Sequence, residues 1–194
     1  FEGNGYSKEW EIESAARGLR AVKNVPEAFE VYHEAQTVEL FEKLGVLAKN
    51  EIEARFEIFN ETYVKKLQIE ARIIGDICLN HVIPAAVRYQ NVLIENVKGI
   101  KEIFGADYMA YCSSEIETLK KISTYINNVS ADVDALVEAR KKANRIESIA
   151  MRAKAYSHDV KDMMDKVRVS ADNLEMLIDD EMWPLPKYRE LLFF

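Results

Sequence analysis

The feature that most limits what this chain can fold into is a helical hydrophobic repeat that spans residues 50–104 almost without interruption. Its apolar residues recur at steps of three and four, so they share one face of an α-helix and do not alternate as in a strand. They are Ile52, Phe56, Phe59, Tyr63 and Leu67 and then Leu93, Val97, Ile100 and Phe104. Such a helix would be on the order of 80 Å long. Pro84 lies inside it, and because proline has no backbone N–H we expect a kink there.

Two further long helices follow in the sequence. The first begins between Asp107 and Ser114, and its coiled-coil-like seam consists of Leu119, Ile122, Ile126, Val129, Val133 and Leu136. The second extends to Trp183, with an apolar stripe of Ile149, Ala153, Tyr156, Val160, Met163, Val167, Ala171, Leu174 and Leu177. Long amphipathic helices cannot bury their apolar faces alone. We therefore predict an all-α fold, a bundle of long antiparallel amphipathic helices with a proline-kinked central helix.

The chain is expected to form one domain with two regions. Residues 1–50 predict an N-terminal segment of short helices that stop at Gly18 and Gly45, with Asn24 as a helix cap. Residues 51–194 predict the long-helix bundle, which closes with a Trp-Pro-Leu-Pro tail at 183–186. Trp183 should be largely buried, with the prolines directing the tail back over the bundle. Residue 1 is Phe and not Met, so we expect a piece of a longer protein.

Composition disfavours several classes of partner. The formal net charge is −7, which argues against nucleic-acid binding because phosphate contacts need clustered Lys and Arg. No apolar run approaches the roughly 18 residues of a membrane span, and no signal peptide is evident, so no membrane partner is expected. Cys78 and Cys112 lie in apolar helical contexts and are expected to be buried, reduced thiols.

The sequence offers little material for catalysis. Glu30 and His33 make one Glu-x-x-His spacing, but a di-iron bundle needs two such units, and neither His81 nor His158 supplies the second. The acidic run of residues 179–181 is expected to pair with nearby basic groups such as Lys187 rather than to bind a cation. No phosphate-binding glycine loop or nucleophile motif is present. We therefore assign no catalytic, cofactor-binding or metal-ligating residue in this chain.

The densest group of polar residues surrounds Pro84. It comprises Asp76, Asn80, His81, Arg88, Tyr89, Gln90 and Asn91. One interpretation is a buried hydrogen-bond network that sets the helix register. The other is a binding site for a regulatory ligand, although no nucleophile or oxyanion donor accompanies the imidazole of His81.

Four stretches of the chain resemble the C-terminal region of type III glutamine synthetases. They are FEGNGYSKEW at residues 1–10, IEARIIGDICLNHVIPAAVRYQN at 69–91, VLIENVKGIKEIFG at 92–105 and ADNLEMLIDDEMWPLPKYRELLF at 171–193. The resemblance implies a cytoplasmic enzyme that joins ammonia to glutamate, using ATP and Mg²⁺ or Mn²⁺. It also implies two partners for the chain, the catalytic domain of the same polypeptide and neighbouring subunits of a ringed homo-oligomer.

In that family the residues that bind nucleotide and metal lie in a β-rich part that would precede residue 1. No position here matches a catalytic motif of the family. The resemblance therefore implies a C-terminal domain that serves assembly, stability or regulation and is inactive alone. The alternative is a free-standing helical scaffold or adaptor whose seams bind partner helices.

Overall fold

The computed structural model describes residues 3–192, apart from the side chains of Tyr188 and Arg189. Every regular element within this range is helical, and no strand occurs in it. The predicted all-α fold is therefore confirmed. The chain divides into two compact units. Two of the three boundaries fall inside helical segments, after Lys65 and after Ser157, and the third falls in a loop after Ile146.

The first unit contains the residues up to Lys65 together with Glu147–Ser157. Its helices are α1 (Lys8–Ala16), α2 (Val25–Phe29), a 3-10 turn (Glu30–His33), α3 (Ala35–Lys43), the beginning of α4 (Lys49–Ile77) and α7 (Ile149–Ala155). Ring stacking of Phe29 on Phe59, with centroids 5.4 Å apart, joins α2 to α4. Ile52, Phe56, Ala153 and Tyr156 are buried in this unit.

The predicted cap at Asn24 and the predicted stops at Gly18 and Gly45 are confirmed, and Ser7 is a further cap, at the start of α1. Ser7 Oγ accepts a hydrogen bond from the backbone N–H of Trp10, and Asn24 Oδ1 accepts one from Glu27, at 3.3 and 3.0 Å. Gly18 and Gly45 follow helix ends with φ of 71° and 65°, the left-handed conformation that glycine adopts without a Cβ penalty.

The long helix α4 begins at Lys49. The N-terminal donors are satisfied by carboxylates: Glu51 accepts from the N–H of Ala48 at 2.7 Å, and Glu42 accepts from that of Lys49 at 3.3 Å. Asn50 itself lies inside the helix. Asn50 and Glu53 have the spacing of a capping box and so predict a helix start at Asn50. That prediction is wrong, because the carboxylate of Glu51, two residues before Glu53, accepts the N-terminal hydrogen bond instead.

The second unit contains Lys66–Ile146 and the residues from His158 onward. Its helices are the rest of α4, a π-helical turn (Cys78–Val82), α5 (Ile83–Phe104), a 3-10 turn (Gly105–Tyr108), α6 (Met109–Asn144), α8 (Lys161–Glu175) and α9 (Tyr188–Leu191). A second π-helical turn (Tyr156–Val160) links α7 to α8.

The disturbance predicted at Pro84 takes the form of the π-helical turn before it. Pro84 cannot donate to the carbonyl four residues earlier, so the preceding turn widens, and Ile83 N–H donates to Cys78 O, five residues back. Val82 and Ile83 keep helical dihedrals. The chain is thus helical through all of residues 49–104, as the hydrophobic repeat predicts.

Helices α5 and α6 form an antiparallel hairpin. Gln90 Nε2 of α5 donates to Ser123 Oγ of α6 at 2.8 Å. Earlier in the chain, a Cβ on Gly75 of α4 would lie 3.5 Å from Val133, further along α6, so α6 runs antiparallel to the helix that precedes it. Helix α8 also packs on α6, where Ser170 Oγ donates to Asp132 at 2.7 Å. The seam predicted on α6 is confirmed by its buried members, Ile122, Val129, Val133 and Leu136.

The last long helix ends earlier than predicted. Helix α8 stops at Glu175, and hydrogen-bonded turns lead from there to Trp183. The Asp179 carboxylate accepts from the backbone N–H of Glu181 at 2.8 Å. Aspartate competes in this way with the helical hydrogen-bond ladder and favours turns. Trp183 is buried as predicted, with 9% of its surface exposed.

Candidate functional site

Lys187 binds the C-terminal tail to the end of α8, and we call its contacts there the Lys187 clasp. Lys187 Nζ donates to the carbonyl oxygens of Glu175 and Ile178, at 3.0 and 3.3 Å, and also contacts the carboxylate of Asp180. A cation there satisfies the last carbonyls of the helix and complements its macrodipole. The tail therefore turns back as predicted. The sequence predicted that Lys187 would pair with the acidic run at residues 179–181. It did not predict the contacts of Lys187 with the carbonyl oxygens of Glu175 and Ile178, because these depend on the reversal of the chain at the prolines.

Replacing Lys187 with Met should destabilise the chain by about 1–3 kcal/mol, because buried carbonyls lose charge-assisted hydrogen bonds. Urea unfolding followed by circular dichroism measures this loss. Lys161→Met is the matched control, since its ion pair with Asp165 is exposed and 3.5 Å long and should contribute close to zero. Equal effects of the two substitutions would contradict the clasp.

The Glu-x-x-His pair does not converge on a metal site. Glu30 forms an ion pair with Lys154 at 2.8 Å, and the His33 ring packs edge-on against Phe56 with centroids 4.0 Å apart. Within residues 3–192, no three His, Cys, Asp or Glu side chains lie close enough together to hold a metal ion. The described donor set therefore does not fit the metal that the resemblance implies for the enzyme.

The polar group around Pro84 is not the buried network proposed as one interpretation. Asp76, Asn80, His81 and Arg88 are all solvent-exposed. Asn80 Nδ2 donates to Asp76 one helical turn away at 2.6 Å, which is a surface contact. The outward face of a helix accepts such residues at no desolvation cost, and proximity to a proline carries no information about which face is covered. A ligand-binding role for the group stays a prediction.

Both cysteines are free and buried, as predicted. The Cys112 thiol donates to the carbonyl of Tyr108 at 3.2 Å. Burial, reinforced by the nearby Asp172 carboxylate, raises the pKa of the Cys78 thiol from 9.0 to about 11. The thiolate is therefore disfavoured in the folded state, so this residue is a packing group and not a nucleophile.

The raised pKa of Cys78 predicts a pH-dependent loss of stability. The neutral thiol contributes its full stabilisation below pH 9, and this is lost as pH rises through the folded pKa near 11. The free energy of unfolding should fall by about 2 kcal/mol more in the native chain than in Cys78→Ala between pH 8 and 11. Parallel pH profiles for the two proteins would contradict this.

The first unit carries the most conspicuous exposed apolar surface. Pro26 is the only buried residue between positions 3 and 48. Nine large apolar side chains of this segment are exposed, namely Tyr6, Ile12, Leu19, Val22, Val25, Val31, Leu40, Leu44 and Val46. Exposed apolar surface, where it is contiguous, marks interaction sites, so this segment is a candidate for one.

Helix α3 concentrates this surface into one stripe. Thr37, Leu40, Phe41 and Leu44 recur at steps of three and four, so they share a helical face, which we call the α3 apolar face. Leu40 and Leu44 are 54% and 65% exposed. Together with Ala28, Val31 and Tyr32, this face lines a groove of about 350 Å³. The spacing was visible in the sequence, but whether another helix would cover the stripe was not.

No helix in the described part of the chain is both long enough and apolar enough to cross a bilayer.

Comparison with known proteins identifies the family. The model of the glutamine synthetase C-terminal domain matches residues 1–101. A glutamine synthetase from Bacteroides fragilis is 43% identical over 194 residues, covering 100% of this chain and 27% of that protein. The type-3 glutamine synthetase of Dictyostelium discoideum is 30% identical over 202 residues, covering 100% of this chain and 26% of the relative. The chain thus spans about a quarter of the length of these relatives, and it belongs to the glutamine synthetase C-terminal domain family.

Proposed function

We propose that this chain is the helical C-terminal part of an enzyme that makes glutamine from glutamate, ammonia and ATP. The observation that carries the proposal is the similarity to glutamine synthetases along the entire chain, 43% identical in the Bacteroides fragilis relative. The family match over residues 1–101 supports it independently. The four stretches that resemble type III enzymes lie at both ends and in the middle of the chain.

The chemistry would belong to the rest of that enzyme. The enzyme requires ATP and a divalent metal ion, and the described residues of this chain offer no cluster of His, Cys, Asp or Glu for the metal. Its buried polar side chains are few, and its only strongly shifted cysteine is held as a neutral thiol. We therefore assign no step of the reaction to any residue of this chain.

The role of the chain itself would be assembly and stabilisation of the enzyme. The exposed apolar surface of residues 3–48 supports this, because such a surface needs a partner. The partners we propose are the catalytic part of the same polypeptide and neighbouring subunits of a ringed homo-oligomer in the cytoplasm. A free-standing scaffold that binds partner helices would have no reason to resemble a glutamine synthetase over its full length. The similarity therefore disfavours that alternative.

A direct assay tests this assignment. The full-length enzyme should form glutamine with glutamate, ammonia, ATP and Mg²⁺, and omission of either ATP or metal should abolish the product. The separated 194-residue chain should give no product above a protein-free blank. Robust ATP- and metal-dependent turnover by the separated chain would contradict the division of labour, and an inactive full-length protein would contradict the enzyme assignment.

A further inference from the structure

The α3 apolar face is only partly covered within the first unit. In a helix that packs on its own domain, the apolar stripe is the buried side. Here one edge of the stripe is open, because Leu40 and Leu44 remain more than half exposed, while Thr37 and Phe41 are half-buried and no residue of α3 is fully buried. A leucine left in water forgoes the stabilisation that burial of its side chain would give. The helix therefore leaves the Leu40 and Leu44 edge of its apolar side uncovered.

The surroundings of the groove have the anatomy of a protein interface. Val31 and Tyr32 form one wall, and the α3 apolar face forms the other. Ion pairs flank the apolar walls, with Glu30 bound to Lys154 and Glu34 bound to Arg20. An apolar centre with a polar rim is the common arrangement of protein–protein interfaces.

The shape of the surface argues against a second copy of the same chain as its occupant. A two-fold dimer places identical patches against each other. Two concave grooves of about 350 Å³ facing one another would enclose a void, which close packing does not tolerate. The occupant should instead be convex and apolar, and different from the groove itself.

The length of the relatives supplies such an occupant. This chain accounts for 27% of the Bacteroides fragilis protein, so nearly three quarters of a polypeptide of that kind lies outside these residues. The matched family is a C-terminal domain, so that larger part precedes it in the relatives. We propose that the α3 apolar face is the docking surface for the polypeptide outside these 194 residues, an inference that rests on the proposed function.

Thiol labelling of the full-length enzyme tests whether the face is covered. Leu40→Cys and Leu44→Cys place thiols on it, and Glu39→Cys places one on the opposite side of the same helix. Labelling by a water-soluble maleimide, read peptide by peptide and normalised to the denatured enzyme, should be about tenfold or more slower at Leu40→Cys and Leu44→Cys than at Glu39→Cys. Equal rates at the three positions would overturn the proposal.

Photo-crosslinking then identifies the occupant. A photoreactive amino acid at Leu44 in the full-length enzyme should form adducts with peptides outside the 194-residue region. Adducts confined to the 194-residue region of another copy would overturn the proposal in favour of self-association. Glutamine formation is measured on the same preparations. Slow labelling of the thiols in an enzyme that makes no glutamine would contradict only the proposed function. Fast labelling of the thiols in an active enzyme would contradict only the docking surface.

Discussion

Replacing Val129 with Asp should cost about 4 kcal/mol or more and leave the second unit largely unfolded at room temperature. Val129 lies on the α6 seam and is completely buried. A carboxylate there would lose its hydration, and its apolar neighbours on the seam, Ile122 and Val133, offer no hydrogen bond in return. Urea unfolding of the 194-residue chain, followed by far-ultraviolet circular dichroism, measures the cost.

The control for this prediction is the same substitution on an open surface. Val169 lies in α8 and is 61% exposed. Val169→Asp should therefore change the free energy of unfolding by no more than about 0.5 kcal/mol. Because both variants add one negative charge, a difference between them reports burial and not net charge. Comparable losses in the two variants would show that the α6 seam is not the core of the unit.

The seam illustrates how much of the fold could be predicted from the sequence. Apolar residues at steps of three and four form a stripe along one side of a helix. The helix can remove this stripe from water only by packing it against another helix. The stripe on α6 and the repeat along residues 49–104 were therefore predictable. The cap at Asn24 and the glycine stops were predictable for a similar reason, since each acts within a few residues.

Features that depend on competition between local and tertiary forces were not predictable. Helix α8 keeps an apolar pattern up to Leu177, but the Asp179 carboxylate captures a backbone N–H and turns replace the helix. Pro84 lacks a backbone N–H donor, and a helix can accommodate that loss by a kink or by a π-helical turn. The sequence does not determine which of these forms. The polar residues around Pro84 could face inward or outward until the packing of α6 on α5 decided the matter.

The candidate docking surface shows a different limit. The spacing of Thr37, Leu40, Phe41 and Leu44 predicts an amphipathic helix whether or not its stripe is covered. Only the structure shows that part of this stripe, at Leu40 and Leu44, stays exposed. The Lys187 clasp is similar, because the lysine reaches the carbonyl of Glu175 only after the chain has reversed direction.

Trp183→Ala should destabilise the chain by about 3–5 kcal/mol, the cost of removing a large aromatic side chain from a buried site. Trp183 is only 9% exposed, and it lies in the turns between α8 and the Lys187 clasp. Its loss would leave a cavity that the neighbouring prolines, with their fixed φ, cannot readily collapse into. Urea unfolding measures the effect, and a cost near zero would contradict a structural role for the buried ring.

Trp183→Phe separates ring packing from hydrogen bonding at this site. The indole Nε1 is buried with no hydrogen-bond partner among the described residues, which carries a desolvation penalty. Phenylalanine retains most of the buried ring and removes the unsatisfied donor, so the two changes offset each other. We expect Trp183→Phe to cost less than about 1.5 kcal/mol, well below Trp183→Ala. If Phe were as damaging as Ala, the indole N–H would have to engage a partner, and the ring would stabilise the tail through that bond and not through packing.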